Sequence, residues 1–241
     1  MSEEVRLNAL FHPQTVAVIG ASGKPGKIGH TVVANMIEAG FPGRIIPVNP
    51  KADEILGLPV VKDVADLPDG LDLAVVTIPV AAVLPAMEIL AKKQLKSAIV
   101  ITAGFKEVGG EGYYLEKKLA ELCRECGIAL IGPNCLGVIS TPSQVNASFA
   151  AGQPGPGKIA FFSQSGALCV AILDWALGEN IGFSRFVSLG NKALVSEAHM
   201  LDYLRDDPHT NVILGYIENV EHGTDFMRAA AAVTRDRKSV V

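Results

Sequence analysis

Glycines at positions 20, 23, 26 and 29 and lysines at 24 and 27 fall within the run Val16-Ala17-Val18-Ile19-Gly20-Ala21-Ser22-Gly23-Lys24-Pro25-Gly26-Lys27-Ile28-Gly29. Glycine lets backbone N–H groups approach an anion closely and lysine adds a full charge, so this spacing offers a grip on phosphate. The four apolar residues ahead of the loop lack polar alternation, which suits a parallel strand covered on both faces. A helix starting near Ile28 adds the positive end of its dipole. A second anion cradle is offered by Ser163-Gln164-Ser165-Gly166, which ends a strand and opens a helix; plain N-capping accounts for the same residues. A serine-hydrolase elbow would require G-x-S-x-G, and Ser163 and Ala167 stand where its glycines belong.

The elements that must carry these loops alternate. A helix over 31–39 stops at Gly40 and Pro42, a strand over 44–48 turns at Asn49-Pro50, and strands over 73–78, 98–102 and 128–131 enclose helices over 82–93 and 112–126. That pattern predicts an α/β fold with a parallel sheet and crossovers on both faces. The segment 132–158, rich in Pro, Gly, Ser and Asn, breaks the rhythm, so the chain divides into domains 1–145 and 146–241. Beyond it come strands over 158–162, 185–188 and 212–217 and helices over 166–177, 196–204 and 224–233. The last residues, Lys238-Ser239-Val240-Val241, read as another strand beginning, so the expectation is a fragment of a longer polypeptide.

With 241 residues, 49% of them hydrophobic, the chain can fill sizeable cores. A net charge of −4 and only 6% aromatics argue against a nucleic-acid partner. The acidic start Met1-Ser2-Glu3-Glu4 is unlike a secretory signal. The most apolar stretch, 73–90, is interrupted by Thr77, Pro79, Pro85 and Glu88 and does not read as a membrane span. A cytoplasmic protein with four reduced cysteines is expected. Cys123 and Cys126 form a C-x-x-C pair at a helix end, without the two further ligands zinc needs, so no metal site is assigned.

The glycine loop narrows its own ligand. A dinucleotide fingerprint would place glycine at position 22, where Ser22 stands, and an acidic residue after the second strand, where Pro47-Val48-Asn49-Pro50-Lys51 stands. A lysine there invites another phosphate, which leaves NADP or a nucleotide with a separate ribose phosphate such as coenzyme A (CoA). An exposed surface lysine at 51 is the bland alternative. Glu218 ends an apolar strand, where functional loops collect in open α/β sheets; an ordinary exposed glutamate fits equally.

The strings Ala17-Val18-Ile19-Gly20-Ala21-Ser22, Pro47-Val48-Asn49-Pro50-Lys51, Ile101-Thr102-Ala103-Gly104-Phe105, Ile131-Gly132-Pro133-Asn134-Cys135, Phe162-Ser163-Gln164-Ser165-Gly166-Ala167-Leu168 and Tyr216-Ile217-Glu218 occur in an order that resembles the nucleoside-diphosphate-forming acyl-CoA synthetases. The resemblance implies a Rossmann-like CoA-binding domain followed by a truncated flavodoxin-like ligase domain. It implies that Gly20, Ala21, Ser22, Lys24, Gly26 and Lys27 cradle CoA phosphates and that Lys51 approaches the nucleotide end. Ile78, Pro79, Thr102, Ala103 and Gly104 would line the channel to the thiol. Asn134, Ser163, Gln164, Ser165 and Gly166 would bind phosphate, with Ser165 and Gly166 preferred. Glu218 would orient a histidine that carries phosphate and lies beyond residue 241.

The same resemblance implies an acid–CoA ligase (ADP-forming) as part of a longer protein or complex, inactive as this fragment. ATP, ADP and magnesium would belong to an ATP-grasp domain or subunit, and the assembly could be oligomeric. A CoA-sensing regulatory half of a protein acetyltransferase and an NADP-dependent oxidoreductase are the rival readings. His222 matches nothing in the family's loop, and His12, His30, His199 and His209 read as structural or surface residues.

Overall fold

Val16 and Val18 are buried toward one face of their strand and Ala17 and Ile19 toward the other, as a sheet covered on both sides requires. The computed structural model describes residues 3–235 and 239–240. Its first sheet is built from β1 (Thr15–Ile19), β2 (Arg44–Val48), β5 (Leu73–Val76), β6 (Ser97–Val100) and β7 (Ala129–Ile131). All pair in parallel, in the order β2-β1-β5-β6-β7. Crossovers run through α2 (Ile28–Glu38), α3 (Val80–Lys92) and α4 (Glu111–Cys126), and β3 (Glu54–Ile55) and β4 (Leu58–Pro59) form a small antiparallel pair. The chain passes from β1 to β2 on one side and then crosses back over β1 to β5 on the other, so the strand order reverses between β1 and β5. The carboxyl ends of β1 and β5 therefore flank the crevice in which doubly wound sheets bind ligands.

The second sheet holds β8 (Gly137–Ser140), β9 (Val145–Ser148), β10 (Pro156–Ser163), β11 (Phe183–Ser188), β12 (Val212–Tyr216) and β13 (Ser239–Val240), in the order β13-β12-β10-β11-β8-β9. The last four in chain order are parallel, linked by α5 (Gly166–Gly178), α6 (Glu197–Asp206) and α7 (Gly223–Arg235). β8 and β9 join antiparallel at one edge. The stretch 137–148 was expected to lie largely before a division at 145/146. Its hydrogen bonds to β11 put it in the second sheet, so sheet membership changes between Ile131 and Gly137. Composition rich in Gly, Ser and Pro reads as linker, whereas partners nearly fifty residues away in β11 hold it in the sheet.

The two sheets share one hydrophobic core. Val16, Val18, Val75 and Ile131 of the first and Val138, Phe162, Val187 and Ile213 of the second belong to a single buried cluster. The nine-residue α1 (Glu3–Phe11), which the sequence did not announce, drives Leu7, Leu10 and Phe11 into that cluster, with Phe11 stacked on Tyr203 of α6 at 4.7 Å. Burial on this scale, at about 25 cal/mol per Å² of apolar surface, is what fixes the sheets against each other. Lys238 and Val241, named in the expected last strand, lie outside the described residues. Among the described residues no helix is long and apolar enough to cross a membrane.

Candidate functional site

The glycine loop stands at the carboxyl end of β1 and is shaped by close approach. Gly20 has φ +91°, and a Cβ there would lie 2.8 Å from the Thr77 hydroxyl; a Cβ on Gly29 would lie 2.0 Å from the Gly20 carbonyl. Strand end and helix start can meet this closely only as glycine. Gly23 and Gly26 face open space, Gly26 with φ +81°, and Lys24 and Lys27 are exposed beside them. The loop can therefore admit a phosphate group against its backbone.

Neighbouring strand ends fix the loop's surroundings. Asn49 donates its side-chain N–H to the Ala21 carbonyl at 2.8 Å and accepts from the backbone N–H of Lys51 at 2.8 Å, which ties the turn after β2 to the loop. Lys51 itself is exposed. Thr77 donates to the Ile19 carbonyl at 3.0 Å, and Thr102 donates to the Ile78 carbonyl at 2.7 Å. Gly104, with φ +107°, gives its N–H to Glu107. Burial would raise the Glu107 carboxyl, but hydrogen bonds from Asn191, Gly104 and Phe105 outweigh it and hold the group below its ordinary range.

Between the carboxyl edges of the two sheets lies an apolar cleft of about 620 Å³, with Ile78, Thr102 and Ala103 on one wall and Gly166, Ala167 and Val170 on the other. Cys135 also lines it. Its thiol donates to the Val100 carbonyl at 3.4 Å, and burial pushes it up to about 12, so it stays protonated at neutral pH. Asn134, Gly166 and Ala167 are shared with a second, polar cleft of about 630 Å³ whose other wall carries Glu218, Lys106 and Lys192. The two clefts thus meet at the start of α5.

The expected phosphate contacts separate here. Ser165 caps α5, accepting from the N–H of Leu168 at 3.3 Å, and Gly166 lines both clefts. Ser163, expected among these contacts, is instead buried, its hydroxyl bonded to the Ser165 carbonyl and N–H at 3.0 Å each. The Gln164 side chain is engaged with the backbone of residues 218 and 219. Asn134, with φ +57°, donates toward the Asn191 side chain at 3.3 Å. Glu218 is exposed just after β12.

Sequence reading passed over Thr77, Asn191 and Lys192. Each follows a strand end, the rule that did single out Glu218, but none sits in a run of distinctive spacing. Asn191 joins the halves of the molecule, donating to Glu107 at 2.6 Å and Glu116 at 2.7 Å across the polar cleft. His222 is exposed at the entry to α7. Cys123 is buried, its thiol pushed up to about 12 by burial, while Cys126 is exposed. Among the described residues no three His, Cys, Asp or Glu side chains gather where a metal ion could be held.

Comparison with known proteins places this geometry. Residues 14–141 match the family described as CoA binding domain, and 156–241 match the succinyl-CoA ligase like flavodoxin domain. The chain is 47% identical to the acetate–CoA ligase (ADP-forming) I of Archaeoglobus fulgidus over 98% of its own length and 34% of the relative's. It is 43% identical to the acetate–CoA ligase (ADP-forming) I subunit alpha of Pyrococcus furiosus, again over 98% of itself and 52% of that subunit. The acetyl-coenzyme A synthetase 1 of Ca. Korarchaeum cryptofilum, solved with phosphate and ADP, superposes with a TM-score of 0.93 at 40% identity, over 97% of this chain and 50% of that one. The chain spans between a third and about half of these relatives.

Proposed function

Because the chain belongs to the CoA binding domain family, continuing as a succinyl-CoA ligase like flavodoxin domain, we propose that it is the CoA-binding portion of an ADP-forming acyl-CoA ligase. The reaction is acyl-CoA + ADP + phosphate ⇌ acid + CoA + ATP, through an acyl phosphate and a phosphohistidine outside these 241 residues. The observation that carries the reading is the continuity of the two clefts. A pantetheine arm laid from the glycine loop along the apolar cleft would bring its sulfur to Asn134 and Gly166, where the polar cleft begins. Gly20, Ala21, Ser22, Lys24, Gly26 and Lys27 would hold the diphosphate, and Lys51 the ribose phosphate.

Phosphate would lie at the capped start of α5, against Ser165, Gly166 and Asn134, where free N–H groups and the helix dipole favour an anion. Preorganised donors of this kind stabilise charge that grows on phosphoryl oxygens during transfer. Glu218 would accept a hydrogen bond from one ring nitrogen of the histidine and leave the other as nucleophile. ATP, ADP and magnesium would enter with an ATP-grasp domain or subunit, the partner this reading requires, in the cytoplasm. We further propose that the CoA-binding and ligase functions divide near residues 145 and 146.

Calorimetric titration with CoA and with NADP tests the ligand. Saturable binding of CoA but not NADP is expected, and the reverse would reject the reading. The full-length protein should form ATP from acetyl-CoA, ADP and phosphate; failure across a panel of acyl-CoA esters, with CoA still bound, would favour a CoA-sensing module instead.

A further inference from the structure

Glu218 stands on an exposed turn between β12 and α7, yet the backbone of that turn is fastened at four points. The Gln164 side-chain oxygen accepts from the N–H of Glu218 at 3.0 Å and of Asn219 at 3.1 Å. The Gln164 side-chain N–H donates to the Asn219 carbonyl at 2.9 Å, and Lys192 Nζ donates to the same carbonyl at 2.7 Å. An amide side chain thus pairs with the turn as a neighbouring strand would, satisfying backbone groups that no ladder reaches.

Lys192 reaches this carbonyl at a cost. It is buried, it holds φ at +49°, a left-handed conformation unfavourable for any residue with a Cβ, and its charge is balanced by buried Glu197 at 3.3 Å. Buried ion pairs add little net stability, and non-glycine strain persists where the surroundings over-determine it, typically at functional sites. Glu197 also lies 3.5 Å from the Gln164 amide, so the three side chains form one unit ending on the residue beside Glu218.

We infer that Gln164, Lys192 and Glu197 are a clamp that positions Glu218, and that Gln164 and Lys192 act as positioning residues for it rather than as anion ligands. The inference rests on the function proposed above for what Glu218 does, and on the geometry alone for the clamp. A carboxylate that must meet one nitrogen of a histidine ring has to be held within about 0.5 Å while remaining open to its partner. Fastening the backbone on both sides of Cα does this without occupying the carboxylate.

Amide hydrogen exchange followed by NMR on the chain itself tests the clamp. Gln164→Ala should speed exchange at the Glu218 and Asn219 amides by about tenfold, with β10 and β12 amides unchanged. The double variant Lys192→Met/Glu197→Gln, which leaves no uncompensated buried charge, should speed the same amides. In the full-length ligase Gln164→Ala should lower kcat by about 10- to 100-fold with KM for CoA and phosphate unchanged. Gln164→Glu, which keeps the accepting oxygen but sets a second acceptor against the Asn219 carbonyl and Glu197, should recover little of that loss. Unchanged exchange at both amides overturns the clamp; a raised KM for phosphate with kcat intact overturns the positioning role in favour of a ligand role. Full kcat in Glu218→Gln would refute the function of Glu218 itself, and faster exchange in Gln164→Ala would show that failure to be separate from the clamp.

Discussion

Lys24, Lys27 and Lys51 are all exposed around a loop whose backbone faces open space, so their charges are free to meet phosphates but are also screened by salt. Replacing Lys24 and Lys27 together by alanine should raise the Kd for CoA by about tenfold at low salt, and by less as salt rises, measured by calorimetry. Lys51 has a narrower role. If it meets the ribose phosphate, Lys51→Ala should weaken CoA while leaving 3′-dephospho-CoA unaffected; equal weakening of both would assign it to the diphosphate. Residue type and spacing singled these lysines out, and their exposure leaves them open to the proposed role. The same was untrue of Gln164 and Ser163. Both sit in a run that reads as a phosphate cradle, but one is turned onto a loop more than fifty residues away and the other into its own turn, and only the folded chain decides such directions.

At the scale of elements, the strand–loop–helix unit depends on how nearly α2 touches β1. A methyl group on Gly29 would overlap the Gly20 carbonyl, 2.0 Å away, so α2 must shift or tilt to admit it. Gly29→Ala should therefore destabilise by about 1–3 kcal/mol and lower CoA affinity with it, whereas Gly23→Ala, built into the open space that admits phosphate, should lower CoA affinity without lowering stability; thermal melts and titration separate the two. At the second cradle, Ser165→Ala removes the cap of α5 and should cost about 1 kcal/mol. Elements buried on both faces, such as β1, β5 and β6, were legible from the chain because an unbroken apolar run admits few alternatives. α1 and the β8–β9 pair were not. The helix is short and owes its place to contacts with β6, β7 and Tyr203 of α6, and the strand pair owes its place to β11, so neither carries a local signature.

Across the whole molecule, the shared core leaves the clefts at the carboxyl ends of the strands and places a polar latch near their amino ends. His12, just after α1, lies 3.1 Å by Nε2 from the Arg185 guanidinium of β11 and 2.6 Å by Nδ1 from the Ser143 hydroxyl. A guanidinium only donates, so Nε2 must accept and the ring proton sits on Nδ1, facing Ser143. A second proton would point at a cation. Burial, then Arg185, with a smaller push from His209, lowers the His12 pKa below 6.5, against a smaller upward pull from Asp207. Between the lowered folded value and 6.5 the unfolded chain binds more protons than the folded one, so stability is complete above about 6.5 and falls as pH drops through the folded value. The depressed carboxylates Asp72 and Glu107 lose their contribution only lower, below about 4.5, which leaves the mildly acidic window to His12. The melting temperature should therefore decline from pH 7 toward pH 5, and His12→Gln, which keeps one acceptor and one donor without a titrating group, should flatten that decline. An identical slope in both proteins would remove His12 as the source of the decline.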